Sequence, residues 1–153
     1  MKNLLSRLQL AAREDPKTVW FDVVSKAGIE FAEDVFGFAL PKTLRRSYLE
    51  ISNGGFGPGY HITGLPGGQE SSWGDLLQSW TMVMSVEDCE EGWLPIIDWG
   101  CAQFSLIDCD NDFLMVTLYE GEFHNEDYTF DELLERWIGG EVPELHSGGF
   151  CRP

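Results

Sequence analysis

Three carboxylates at alternate positions, Asp108, Asp110 and Asp112, match the first three ligand positions of a calcium loop. The match stops there. Phe113 stands where such a loop needs its sharp-turn glycine, and Tyr119 where it needs a bidentate glutamate. The triplet also lies between two strand patterns, not two helices, so it reads as a solvated hairpin tip. Cys101 is the best-placed nucleophile, with His61 or His124 as a conceivable base. No Gly-x-Ser-x-Gly elbow accompanies it, and a lone cysteine at a strand entrance is ordinarily a core residue. The cysteines and the histidines His61, His124 and His146 show no metal-ligand spacing. Gly54, Gly55, Gly57 and Gly59 close a helix and lead toward a strand, the reverse of a dinucleotide fingerprint, and no Gly-Lys-Ser/Thr follows. The expectation is no catalytic, metal or cofactor site.

Carboxylates still dominate the chain. Its 153 residues carry 26 Asp/Glu against 10 Lys/Arg, a net charge of −16. Residues 1–46 hold eight basic and six acidic side chains, whereas residues 47–153 hold two and twenty. A field of that sign repels nucleic acid. It attracts a basic protein and speeds the encounter at low salt. The candidate partner-binding residues are Asp88, Glu90 and Glu91; Asp108, Asp110 and Asp112; Glu120 and Glu122; and Glu126 and Asp127. These clusters fall in connectors and hairpin ends, where binding residues are often presented on a rigid scaffold. Trp73, Phe123 and Tyr128 adjoin polar stretches and are candidate aromatic anchors. The competing account is solvated charge that keeps the protein soluble.

The elements that must position these groups follow from periodicity. Leu4, Leu5 and Leu8, with Ala11 or Ala12, mark a helix over Asn3–Arg13. Asp15-Pro16 reads as the start of a second, with Val19, Trp20, Val23, Val24 and Ala27 as its stripe and Gly28 as its end. Ile29–Phe36 follows, stopped by Gly37. Pro41 opens the next helix; Leu44, Tyr48 and Ile51 form its stripe, and Asn53-Gly54-Gly55 ends it. Tyr60–Leu65 reads as a short strand. Asp75 caps a helix reaching Ser85. Leu94–Trp99, Ala102–Asp108 and Phe113–Tyr119 read as sheet, and Glu120–Asp127 as a polar loop. Thr129 with Glu132 forms a capping box for a last helix that Gly139-Gly140 ends. The fold class is α+β: N-terminal helices and a C-terminal helix on a small, mainly antiparallel sheet. One domain over 1–153 is expected, with a mobile tail from about 141.

Two blocks carry a resemblance. Leu40-Pro41, a short amphipathic helix, the run SNGGFGPGY and a short apolar strand resemble the SUKH superfamily, also called Smi/Knr-like. Trp93-Leu94-Pro95-Ile96, then Asp98-Trp99-Gly100-Cys101 and an apolar strand ending at Asp108, resemble it too. Pro41, Asn53, Gly54, Gly55, Trp99 and Gly100 are the positions that mark it, and the likeness spans Glu33 to Ile138. It implies a single α+β domain without catalytic apparatus. Many bacterial members are immunity proteins that bind and block a secreted toxin, while eukaryotic relatives are linked to cell-wall regulation.

The expected function is therefore a non-enzymatic protein-binding domain that occludes a basic, nuclease-type toxin; the alternative is a regulatory or scaffold interaction protein of the same fold. No nucleic-acid or membrane partner is expected, since no apolar run is long enough to span a bilayer. The N-terminus has charges inside its apolar pattern and reads as an amphipathic helix, not a signal peptide. Cys89, Cys101, Cys109 and Cys151 are then expected as reduced thiols, which points to the cytoplasm.

Overall fold

Asn3 Oδ1 accepts the Ser6 N–H at 2.8 Å and starts α1 (Leu4–Glu14), whose Leu8 and Ala12 are buried. The structure, a computed structural model, describes residues 3–141; the tail expected to be mobile lies, but for Glu141, outside them. Asp15 closes α1 instead of opening a helix. The expected helix from Asp15 to Gly28 does not form. Its β-branched and aromatic residues favour extended backbone, and the glycine turn offers that backbone partners. Val19 N–H donates to Gly55 O and Val24 N–H to Tyr48 O, both at 2.8 Å, and Phe21 N–H donates to Ser52 Oγ at 2.9 Å. Val19, Trp20 and Val23 are consequently exposed, not core.

Ser25 caps α2 (Lys26–Phe36), so Gly28 lies inside this helix and only Gly37, at φ 80°, ends it. Pro41 sits immediately before α3 (Lys42–Glu50), one position earlier than expected, and Leu44 and Tyr48 are its buried stripe. Asp75 and Gln78 form a capping box on α4 (Leu76–Met84). Then come β1 (Trp93–Gly100), β2 (Gln103–Asp108), β3 (Leu114–Tyr119) and β4 (Glu122–Thr129), paired antiparallel in chain order. Thr129 and Glu132 box the start of α5 (Phe130–Ile138), which buries Phe130, Leu133 and Leu134.

Two sheet expectations change. Tyr60–Leu65 is not a strand, because His61 at φ 81° interrupts it and only Ile62 bridges, to Ile97. Glu122–Thr129 is a strand where a polar loop was expected. Glu120 and Gly121, at φ 51° and 77°, make the tight hairpin that returns it, and of this edge strand only Tyr128 is fully buried.

The sheet is apolar on both faces. Leu94, Ile107 and Met115 pair across β1–β3 and join the main core with Leu8, Ile29, Leu44, Tyr48 and Leu133. Their alternates Trp93, Leu106 and Val116 form a second cluster with Phe104, Leu118 and Val83, packed by Trp73, Val86, Cys89 and Phe123. Among the described residues no helix is long and apolar enough to cross a membrane.

Candidate functional site

Antiparallel pairing brings Trp93, Asp108 and Leu114 into one row at one end of the sheet. The connector from α4 arrives at the same end. Its Asp88 adopts φ 70°, and Trp93 N–H donates to Glu90 O at 3.2 Å. The β2–β3 hairpin is tied to the connector by Cys109 N–H to Gly92 O at 2.9 Å. A Cβ on Gly92 would lie 2.4 Å from Asp110 Oδ2, so a side chain here would push the Asp110 carboxylate aside. Between these elements opens a cavity of about 320 Å³ lined by Asp88, Glu90, Asp108 and Glu126, with Trp93 and Leu114 as its apolar wall.

Four carboxylates meet there, and no Lys or Arg is among the described lining residues. Arg7–Glu135, Arg45–Glu33 and Arg46–Glu50 pair elsewhere. Asp108 Oδ1 accepts the Asp110 N–H at 3.1 Å, and Glu126 accepts the Thr117 hydroxyl at 2.5 Å. Asp88 and Glu90 are exposed on the connector. The neighbouring free thiols sense this field. Burial and then Glu90 push Cys89 up to about 11; burial, then Asp108 and Asp110, push Cys109 up to about 12. Thiols held protonated in this way are poor nucleophiles.

No protein-family model matches the chain, and no curated protein matches it either.

The structure thus draws together four of the ten acids singled out from the sequence. Glu91, Asp110, Asp112 and Asp127 lie beside them on the connector, the hairpin and β4. Asp112 at φ 54° and Phe113 at φ 59° shape the hairpin tip, and the Asp108 carbonyl accepts the Phe113 N–H at 3.1 Å. Glu120 and Glu122 belong to the β3–β4 turn at the opposite end of the sheet. No cluster of three or more His, Cys, Asp or Glu among the described residues could hold a metal ion.

The candidate aromatic anchors all have contacts within the chain. Trp73 stacks on Phe104 at 4.1 Å, Phe123 meets Trp93 edge-on at 4.9 Å, and Tyr128 is buried beneath the Arg136 guanidinium at 4.7 Å. The residue that sequence reasoning missed is Trp93. It opens an apolar strand and so looks like plain core, yet it walls the cavity; its only signal is its place directly after the acidic connector. Asn111 and Asn125 also line the cavity and were missed because neither has a patterned neighbour.

Cys101 needs correction. It is exposed on the β1–β2 turn and disulfide-bonded, so it is neither a reduced thiol nor a free nucleophile. A tight turn with φ of 50° and 60° at Cys101 and Ala102 presents this sulfur outward, where the sequence suggested a buried strand flank.

The family-like motif residues hold the other end of the molecule. Asn53 is buried; Oδ1 accepts the Leu65 N–H at 2.8 Å, Nδ2 donates to Leu65 O at 3.1 Å, and its carbonyl accepts the Gln69 N–H at 3.0 Å. Gly55, at φ 87°, lies so close to Val19 O that a Cβ would stand 2.0 Å from it. Asp98 is buried and accepts from Ser72 N–H at 2.9 Å, Ser72 Oγ–H at 2.8 Å and Gly100 N–H at 2.8 Å. A second cavity, about 430 Å³, lies along this turn between Tyr60, His61, Trp99 and Trp137. Burial lowers the His61 pKa, with Asp15 opposing and Lys17 reinforcing the shift.

Proposed function

We propose that the chain is a non-enzymatic protein-binding domain of the SUKH, or Smi/Knr-like, kind that docks a basic protein with the acidic end of its sheet. The observation that carries this reading is the 320 Å³ cavity lined by Asp88, Glu90, Asp108 and Glu126, with no cationic side chain among its described lining residues. The exposed carboxylates Asp88 and Glu90 cost little while water reaches them, and they gain Coulomb energy when a partner brings a cation. The partner is a toxin whose active-site cleft is basic, as a nuclease's must be to hold phosphates. Inhibition is stoichiometric occlusion: charge sets the rate of encounter, and a few apolar contacts set the slow release. This role belongs in the cytoplasm. The free Cys89 and Cys109 fit that compartment, and the disulfide at Cys101 is the feature that does not.

The test is co-expression with the toxin encoded beside it. Restored growth together with a one-to-one complex supports the proposal. Unchanged killing with no complex would falsify it and leave a regulatory or scaffold role for the same fold.

A further inference from the structure

Cys101 is exposed on the β1–β2 turn and disulfide-bonded. Cys89 and Cys109 are both free. The chain holds four cysteines, which leaves Cys151 as the partner within it. The same corner of the molecule carries the cavity of about 430 Å³, whose wall includes Pro58, Tyr60, Trp99 and Trp137. Tyr60 is 58 % exposed and lies against Gly100, where a Cβ would stand 3.0 Å from its ring. The cavity wall therefore runs up to the residue before Cys101. Its other rim includes Glu141. Residues 142–153 continue from that rim, and ten Cα–Cα steps lead from Glu141 to Cys151, a reach of up to about 33 Å. A chain that leaves the cavity at Glu141 and is bonded beside it at Cys101 is held to the cavity at both ends, with length to spare. Val142, Pro143, Leu145 and Phe150 supply apolar side chains for such a wall. Ser147-Gly148-Gly149 permits a bend back toward the sulfur.

We propose that Cys101 pairs with Cys151, and that this disulfide straps residues 142–150 over the cavity between Tyr60, Trp99 and Trp137 as its intrachain occupant. The bond forms as the two thiols pass two electrons and two protons to a disulfide oxidant of the glutathione class; one S–S bond is made and the oxidant's is broken. A dithiol runs the exchange in reverse and frees the strap. Covalent closure raises the effective concentration of the segment at the cavity, so the opened chain leaves the cavity bare more of the time. The strap belongs to the end of the sheet opposite the acidic cavity, so it stands or falls independently of the docking reading.

The test uses the full chain, equilibrated with oxidised glutathione. Remaining thiols are blocked with N-ethylmaleimide in denaturant, and peptide masses are mapped without reductant. The proposal expects a Cys101–Cys151 cross-link in the monomer, with Cys89 and Cys109 outside it. Maleimide on Cys101, or a cross-link between two copies, overturns it. Occupancy is read at His61, which lines the cavity and whose pKa, lowered by burial, keeps the imidazole neutral and reactive toward diethyl pyrocarbonate at pH 7. Carbethoxylation of His61 should rise about threefold or more in the chain reduced with dithiothreitol and desalted, and likewise in Cys101→Ser and Cys151→Ser. Native-state alkylation of Cys109, at the far end of the sheet, reports on the fold and should stay slow in both variants. An unchanged His61 rate overturns the strap. So does a rise at His61 matched by fast alkylation of Cys109, which would mean that the disulfide only holds the fold together.

Discussion

Trp93 and Trp99 lie on the same strand and are equally buried, at 7 % exposure, but they sit at opposite ends of the sheet and in opposite circumstances. Trp99 donates its Nε1–H to Ser105 Oγ at 2.7 Å. Around it, Asn53 and Asp98 are saturated with backbone and serine partners. Trp93 has no acceptor among the described residues, and the acids around it meet no lysine or arginine in the described cavity lining. The two ends teach different things about buried polarity. Where every polar group is answered within the chain, it specifies the fold. Where a group is left unanswered, packing alone holds it.

That contrast can be broken most forcefully at the glycine turn. Gly55→Ala adds a methyl 2.0 Å from Val19 O at a φ of 87°; urea unfolding should show a loss of about 4 kcal/mol. Asn53→Ala leaves the Leu65 N–H and carbonyl without partners and should cost about 3 kcal/mol. The tryptophan pair sharpens the comparison. Trp99→Phe and Trp93→Phe both lose buried packing, but only Trp99→Phe also strands the buried Ser105 hydroxyl, so it should cost about 1–2 kcal/mol more than Trp93→Phe, which removes a donor without an acceptor among the described residues. Equal losses in the two variants would erase the distinction. The smallest effect is on the thiols. Cys89 and Cys109 are raised from 9.0 to about 11 and about 12. Both are ordinary thiols once unfolded, so unfolding releases their protons more readily. Their contribution to stability is complete below pH 9 and declines as pH rises through the folded values. Alkylation of the native chain by iodoacetamide at pH 8 should accordingly be slow at both sites; rapid labelling would show that burial and the nearby acids do not hold them protonated.

Much of the fold was legible because its signals are local. Asp75 with Gln78 and Thr129 with Glu132 cap helices through side chains three residues apart, and the apolar runs of β1, β2 and β3 announce a sheet covered on both faces. Segments governed by distant partners were not legible. Val19 and Val24 are extended because Gly55 and Tyr48 accept their N–H groups, and β4 is a strand because β3 templates it despite its polar composition. The candidate site divides in the same way. Carboxylates at connectors and hairpin ends were readable as charge. Which of them converge depends on register, and register separates Glu120 and Glu122 from Asp88 and Glu90 by the length of the strands. The missing acceptor of Trp93 is a property of packing that no spacing encodes.

The most direct measurement neutralises two acids at each end in turn and reads affinity for the basic partner protein. Asp88→Asn with Glu90→Gln and Glu120→Gln with Glu122→Gln remove the same charge from exposed positions. Local docking predicts a loss of about tenfold or more for the first variant and less than about twofold for the second. Equal weakening by the two would mean that net charge alone draws the partner, and the acidic end would lose its claim to be the binding site.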